Sequence, residues 1–401
     1  MLLVLVRAEP AAWAGDFIGS ALACLTYLLL PGSFISLVRP GWWEQRPPGD
    51  VPGWVGAIWT RRHADAFDAV EAGTMTRIGY HCSHEQFTPG ELLTLAQLAE
   101  DAGFRCAKSS DHFHPWSERQ GQSGFAWSWL GSALQATRFG FGNIAAPGYR
   151  YHPAVLAQAA ATLGQMYPGR FWLALGSGEA INEAITGLPW PEKAERNARL
   201  RECAEVMQAL FAGETVTHRG RITVLEAKLY TRPVEPVPLY AAAVTPETAK
   251  FVAPWADGLL TASGELETVR AVIKAFREHG GAGKPVILQS ALCWAHSDEQ
   301  AIAMAMEQWS SRVVAGEVAW DLRRPGDFDE TGKLVGEAAM RRLLPVSADL
   351  TRLEDWIAEQ LTLDLDELHL HQVGTNQRQF IEMFGERVLP AVLRGKGRVS
   401  P

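Results

Sequence analysis

No pair of cysteines in this chain is spaced as C-x-x-C. The five (Cys24, Cys82, Cys106, Cys203, Cys293) are scattered and odd in number, so neither a disulfide framework nor a zinc site is signalled, and a reducing cytoplasm is the expected setting. A long Lys/Arg run is also missing and the net charge is -8, which excludes the clustered cations that grip a phosphate backbone; no nucleic-acid partner is expected. A basic segment ahead of an apolar core, the mark of a secretory signal, is absent too, since Arg7 is accompanied by Glu9 and Asp16. What remains is a 401-residue chain, 47% hydrophobic and 20% charged, large enough for one big core and suited to a small-molecule substrate.

Residues 1–74 differ from the rest. They hold five of the fifteen tryptophans and show no clear periodicity. Their uncharged stretch, Phe17 to Val38, is long enough to span a bilayer, but Pro31-Gly32 interrupts it. The segment reads as a disordered leader or a start codon placed too early, with Met75 as the true start; membrane attachment follows only if the leader is real.

From Met75 onward strand-like and helical segments alternate. Strands are expected at 77–81, 104–108, 139–144, 171–175, 239–244, 258–262, 286–294 and 368–373. Thr88-Pro89-Gly90-Glu91 reads as a capping box with proline at the first helical position. Leu200, Cys203, Val206, Met207 and Leu210 recur at helical spacing before Gly213. Eight such units make a parallel (β/α)8 TIM barrel the expected α/β fold, with an insertion at 315–350 after the seventh strand. Polar and glycine-rich clusters gather where strands end: Ser110 to Trp116, Asn143 to Pro147 and Gly176 to Glu183. In such a barrel the chemistry belongs at those ends.

Several other groupings have plain readings. His81, Cys82, His84 and His114 lack a carboxylate at ligand spacing, and no metal is expected. Trp127 and Trp129 could line a pocket or fill the core. His369 and His371 share one face of the last strand and read as structural histidines with satisfied hydrogen bonds.

The motifs together resemble the luciferase-like flavin monooxygenase superfamily, and within it the branch close to deazaflavin-dependent glucose-6-phosphate dehydrogenase. The resemblance covers 75–401 and rests on Ser110-Asp111-His112-Phe113-His114-Pro115-Trp116, Arg150-Tyr151-His152-Pro153-Ala154, Gly176-Ser177-Gly178-Glu179-Ala180-Ile181-Asn182-Glu183 and Gln377-Arg378-Gln379-Phe380. It implies a bacterial-luciferase-like barrel, usually dimeric, whose mouth holds a flavin or deazaflavin ring. It further implies His112 as the base taking a substrate hydroxyl proton, Trp116 and Asp111 framing the site, and Glu179 beside the ring nitrogen that gains charge, with Asn182 on the same helix face. Asn143, Ile144 and Ala145 would back the ring through a non-prolyl cis bond at Asn143-Ile144, and Gly176, Ser177 and Gly178 would border it.

Two departures bear on the cofactor and substrate. Ala243-Val244 stands where the branch has a glycine pair, so a cofactor phosphate would meet Val244 and the Thr245 turn. No lysine lies in 288–292, and Glu307 stands where an arginine aligns, which speaks against a sugar phosphate. These departures suit a side group of the branch that uses FMN, with the deazaflavin coenzyme as the alternative. The expected function is a flavin-dependent oxidoreductase or monooxygenase acting on a small organic molecule, with a flavin reductase as a possible partner. The alternatives are a deazaflavin-dependent alcohol or sugar-phosphate dehydrogenase and a non-catalytic flavin-binding protein.

Overall fold

In a computed structural model, residues 76–313 and 318–395 are described. The leader, its Phe17 to Val38 stretch and Met75 lie outside the described residues.

Eight parallel strands close into a barrel: β1 (Arg77–Cys82), β2 (Cys106–Ser109), β3 (Phe141–Ala145), β4 (Phe171–Leu175), β5 (Leu239–Ala242), β6 (Gly258–Ala262), β7 (Val286–Trp294) and β8 (Glu367–Gln372). Their order is β7-β8-β1-β2-β3-β4-β5-β6, and β6 pairs with β7 to complete the ring. Every residue of β4 is buried, as its uninterrupted apolar run requires of a strand with the barrel interior on one face and helices on the other. Near the strand beginnings Trp172 stacks on Tyr240 at 5.2 Å. Gly142 makes this possible, because a Cβ there would fall 1.9 Å from the Trp172 ring.

Connecting helices form where capping chemistry starts them. In α1 (Pro89–Asp101) Thr88 Oγ1 accepts from the Glu91 amide, and in α3 (Pro153–Met166) His152 Nδ1 accepts from the Ala154 amide. Helix α2 (Ala126–Ala136) lies between them. Helix α4 (Lys193–Ala212) stops at Gly213, whose φ of +92° is left-handed.

The structure departs from the sequence expectation at several points. β5 ends at Ala242, so Val244 belongs to the following loop. An antiparallel hairpin, Val216–Arg219 with Thr223–Ala227, fills the stretch after α4. The insertion contains helices Pro325–Gly332 and Glu337–Leu343, and its Val346–Ser347 pairs with the end of β7. No peptide bond among the described residues is cis, which corrects the expectation at Asn143-Ile144. There β3 stays in continuous register with β4 (Asn143 with Leu173, Ile144 with Ala174, Ala145 with Leu175), so the ladder has no break to accommodate one. No helix among the described residues is long and apolar enough to cross a membrane.

Candidate active site

The loops after β1, β2 and β4 converge at the carboxyl mouth, and His112 stands where they meet. On one side its Nδ1 is 2.8 Å from Glu85 Oε1; on the other its Nε2 is 3.9 Å from Glu179 Oε2. Glu85 is buried and its second oxygen accepts from Ser83 Oγ at 2.7 Å and Ser110 Oγ at 2.9 Å. Burial alone would favour the neutral acid, but His112 and these hydroxyls hold the Glu85 carboxyl well below the usual carboxylate range. Burial also opposes charge on His112. The facing Glu85 carboxylate overcomes it and raises the imidazole above its ordinary value. Glu179 is pushed upward by burial, only partly offset by His112 and Arg312.

The Trp116 ring meets His112 edge to face at 4.9 Å. It also packs with Ile181 and, from beyond β7, with Phe328 of the insertion at 5.3 Å and the Arg312 guanidinium carbon 3.9 Å from the ring centroid. Asp329 fastens the insertion to the same loop, accepting from Ser117 Oγ at 2.6 Å and the Glu118 amide at 3.0 Å.

Asn182 ties two of the motifs together. Its Oδ1 accepts from the Phe113 amide at 2.9 Å and the His114 amide at 3.4 Å, and its Nδ2 donates to Glu179 Oε2 at 3.4 Å. Glu179 occupies the N-cap position of the short helix Ala180–Glu183, yet its side chain makes no capping bond and is left for the site. Asp111 is buried, and its carboxylate is spent within the protein, accepting from Trp127 Nε1, Tyr151 OH and Arg150 Nη1 at 3.0, 2.8 and 3.3 Å. Arg150 also donates its amide to Glu183 Oε2 at 2.9 Å, and burial pushes the Glu183 carboxyl up to about 7. Asp111 and the Arg150-Tyr151 motif therefore brace the loop that carries His112.

Asn143 is fully buried on β3. Its Oδ1 accepts from Ser109 Oγ at 2.8 Å, while its Nδ2 has no partner. Ile144 is partly buried against the stacked Trp172 and Tyr240, and the Ala145 carbonyl accepts from the Gly176 amide at 3.0 Å. Gly176, at the end of β4, borders open space: a Cβ there would meet nothing nearer than Ala242 at 3.9 Å. Ser177 is partly buried, and Gly178 turns the chain with φ of +83°. Val244 is 46% exposed, and Thr245 Oγ1 accepts from the Thr248 amide to cap the helix that follows β5. Neither side chain has a hydrogen bond to His112, Glu85 or Glu179.

Glu85 and Arg312 are site residues that sequence reasoning missed. Glu85 sits one residue after His84, just past β1, and the pairing of β1 with β2 brings it to His112. Trp129 is core, donating to the Pro89 carbonyl. His371 packs on His81 at 4.2 Å with its Nε2 unpartnered, whereas His369 lies deeper with its Nε2 2.6 Å from Glu367 Oε2. Among the described residues, metal-ligand atoms gather at Cys106, Glu367 and His369, but Glu367 is already paired with Arg77 as well as His369.

A parallel barrel with an imidazole set between two carboxylates at its carboxyl mouth has the groups that general acid-base chemistry requires. The chain belongs to the luciferase-like monooxygenase family, which residues 71–361 match; it is an oxidoreductase of that family. It is 36% identical over 326 residues to an F420-dependent glucose-6-phosphate dehydrogenase of Microbacterium testaceum, covering 78% of this chain and 96% of that one. The protein of the same description from Mycobacterium leprae is 33% identical over 331 residues, covering 79% and 98%. Among solved structures, an F420-dependent secondary alcohol dehydrogenase in complex with an F420-acetone adduct superposes with a TM-score of 0.74 at 30% identity, over 80% of this chain and 99% of the other. A long-chain alkane monooxygenase, 15% identical with a TM-score of 0.62 over 82% and 94%, shares the fold.

Proposed function

We propose that the protein is a deazaflavin-dependent alcohol dehydrogenase in which His112 is the catalytic base. The carrying observation is the Glu85–His112–Glu179 line: Glu85 faces Nδ1, which leaves the opposite nitrogen, Nε2, directed into the site. With the ring proton on Nδ1 toward the carboxylate, Nε2 presents a lone pair to a substrate hydroxyl. As Nε2 takes that proton, Glu85 stabilises the imidazolium, and Trp116 keeps one edge of the ring covered.

The residues at the mouth suit a flat heteroaromatic ring. The unspent Asn143 Nδ2 is a buried donor for a ring carbonyl, and Gly176 leaves room beside the end of β4. Glu179, whose carboxyl burial favours in its proton-bearing form, can give a proton as negative charge develops nearby. A bound deazaflavin supplies a two-electron acceptor for the hydride from the carbinol C–H, so the alcohol becomes a ketone while its hydroxyl proton goes to His112. Relatives sharing 36% and 33% identity over nearly their whole length are F420-dependent, and that favours deazaflavin over the FMN the sequence departures suggested. The absence of lysine from 288–292 and Glu307 at the aligned arginine position still favour an alcohol other than a sugar phosphate.

The test is anaerobic incubation of the protein and oxidised deazaflavin with 2-propanol and with glucose 6-phosphate, followed by the cofactor's visible absorbance. Bleaching with 2-propanol, reduced by about 10²–10⁴-fold in His112→Ala, is expected. Undiminished turnover by His112→Ala would refute the assigned base.

A further inference from the structure

Arg312 is a cation at the site that pairs with no carboxylate among the described residues. It lies in the short 3-10 turn Ser310–Val313 that follows helix Asp298–Trp309 after β7. Among the described residues it makes no hydrogen bond and no salt bridge. Its guanidinium lies over two ring faces, Trp116 at 3.9 Å and Trp309 at 5.9 Å from the centroids. A guanidinium held this way has its rotamer fixed by aromatic packing while its N–H fork stays unspent.

The neighbouring charges do not neutralise it. Glu85 is engaged by His112 and two serine hydroxyls. Glu179 lies beyond salt-bridge distance and is drawn toward its neutral form by burial. A second cation, the buried Lys108 on β2, likewise has no hydrogen bond or salt bridge among the described residues. Neither Arg312 nor Lys108 is within salt-bridge distance of a carboxylate among the described residues, and a partly desolvated cation calls for an anion.

From this we infer that Arg312 anchors the carboxylate of the substrate, which makes the alcohol a short hydroxy acid. The inference rests on the dehydrogenase reading above and adds the substrate class to it. The geometry sets the length. Arg312 stands 3.9 Å from the Trp116 ring centroid and Trp116 stands 4.9 Å from His112, so guanidinium and imidazole are no further apart than those two steps end to end. Two charge-assisted hydrogen bonds of about 2.8 Å and the few carbons of a 2- or 3-hydroxy acid bridge such a gap, with the carboxylate on the fork and the hydroxyl at Nε2. A planar fork matches a carboxylate in bidentate fashion. The anchor is also independent of position 307, where this chain has glutamate.

The test is calorimetric titration of the full chain, without cofactor, with lactate, inorganic phosphate and the neutral 1,2-propanediol, repeated for Arg312→Gln and Arg312→Lys. Lactate should bind better than the diol and better than phosphate. Arg312→Gln should weaken lactate at least about tenfold, the loss of one charged hydrogen-bonding partner, and Arg312→Lys should weaken it less. Phosphate binding tighter than lactate, lost in Arg312→Gln, would overturn the carboxylate in favour of a phosphate ester. Lactate binding no better than the diol, or unchanged in Arg312→Gln, would overturn the anchor itself. A failure of deazaflavin to bind would instead strike the dehydrogenase reading and leave this titration interpretable.

Discussion

Replacing Glu85 with glutamine removes one charge and almost no volume, 2.8 Å from the nitrogen opposite the reacting one. His112 accepts a proton only when neutral, so the rate should fall on the acid side through the imidazole pKa. Burial works to lower that pKa, and Glu85 raises it above the ordinary histidine value. The attraction of two unit charges at that distance is ~1.5 kcal/mol if water screened it fully and ~6 kcal/mol at an effective dielectric constant near 20. Since about 1.4 kcal/mol corresponds to one pKa unit, Glu85→Gln should move the acid limb of kcat/KM to lower pH by at least about one unit. The plateau should also fall by about 10- to 100-fold, because the imidazolium formed in the transition state loses its counter-charge. Glu85 is a positioning and electrostatic residue, so the displaced limb separates this role from a merely structural one. The assay is initial-rate deazaflavin reduction from pH 5 to 9 for wild type and variant. An acid limb that stays in place, or moves upward, would refute the reasoning.

Three further outcomes follow from the same contacts. Lys108 is buried and without a hydrogen bond or salt bridge among the described residues, and burial depresses its amine to about 8 against the pull of Glu85, so Lys108→Met should stabilise the fold at pH 7 by about 3 kcal/mol. The cost it relieves is full below pH 8 and fades as pH rises toward 10.5, so the two urea midpoints should converge over that window; equal midpoints at pH 7 would contradict this. Asp111→Ala strands the partly buried Arg150 guanidinium, the Trp127 indole N–H and the Tyr151 hydroxyl, and should cost about 3–5 kcal/mol in urea unfolding; a loss under about 1 kcal/mol would show that the brace is not needed. Phe328→Ala empties a fully buried position against Trp116 and should cost about 3–5 kcal/mol, with faster amide exchange across 325–343; unchanged protection there would mean that the insertion is held elsewhere.

The barrel was legible because several strands, β4 above all, are short apolar runs and several connecting helices are capped or end at glycine. Thr88-Pro89, His152-Pro153 and Gly213 carry boundaries that local chemistry alone sets. The motif residues His112, Trp116, Glu179 and Asn182 were legible as a group because all follow strand ends, which the barrel collects at one mouth. What was hidden depends on closure of the barrel rather than on local pattern. Glu85 meets His112 only because β1 and β2 are neighbours, and Arg77 reaches Glu367 only because the last strand returns to the first. Phe328 and Asp329 lie more than 200 residues beyond the loop they pack on, in a segment whose composition suggested only an insertion. Asp111 was legible in its motif, but the donors its carboxylate accepts from, on α2 and the loop before α3, were not.

The most direct test of the central claim is a paired equilibrium titration of the protein with oxidised deazaflavin and with FMN, read by ring fluorescence. Deazaflavin bound in the micromolar range or tighter, with FMN at least tenfold weaker, is the predicted result. Tight FMN binding with no deazaflavin binding would contradict hydride transfer to a deazaflavin at the His112 site.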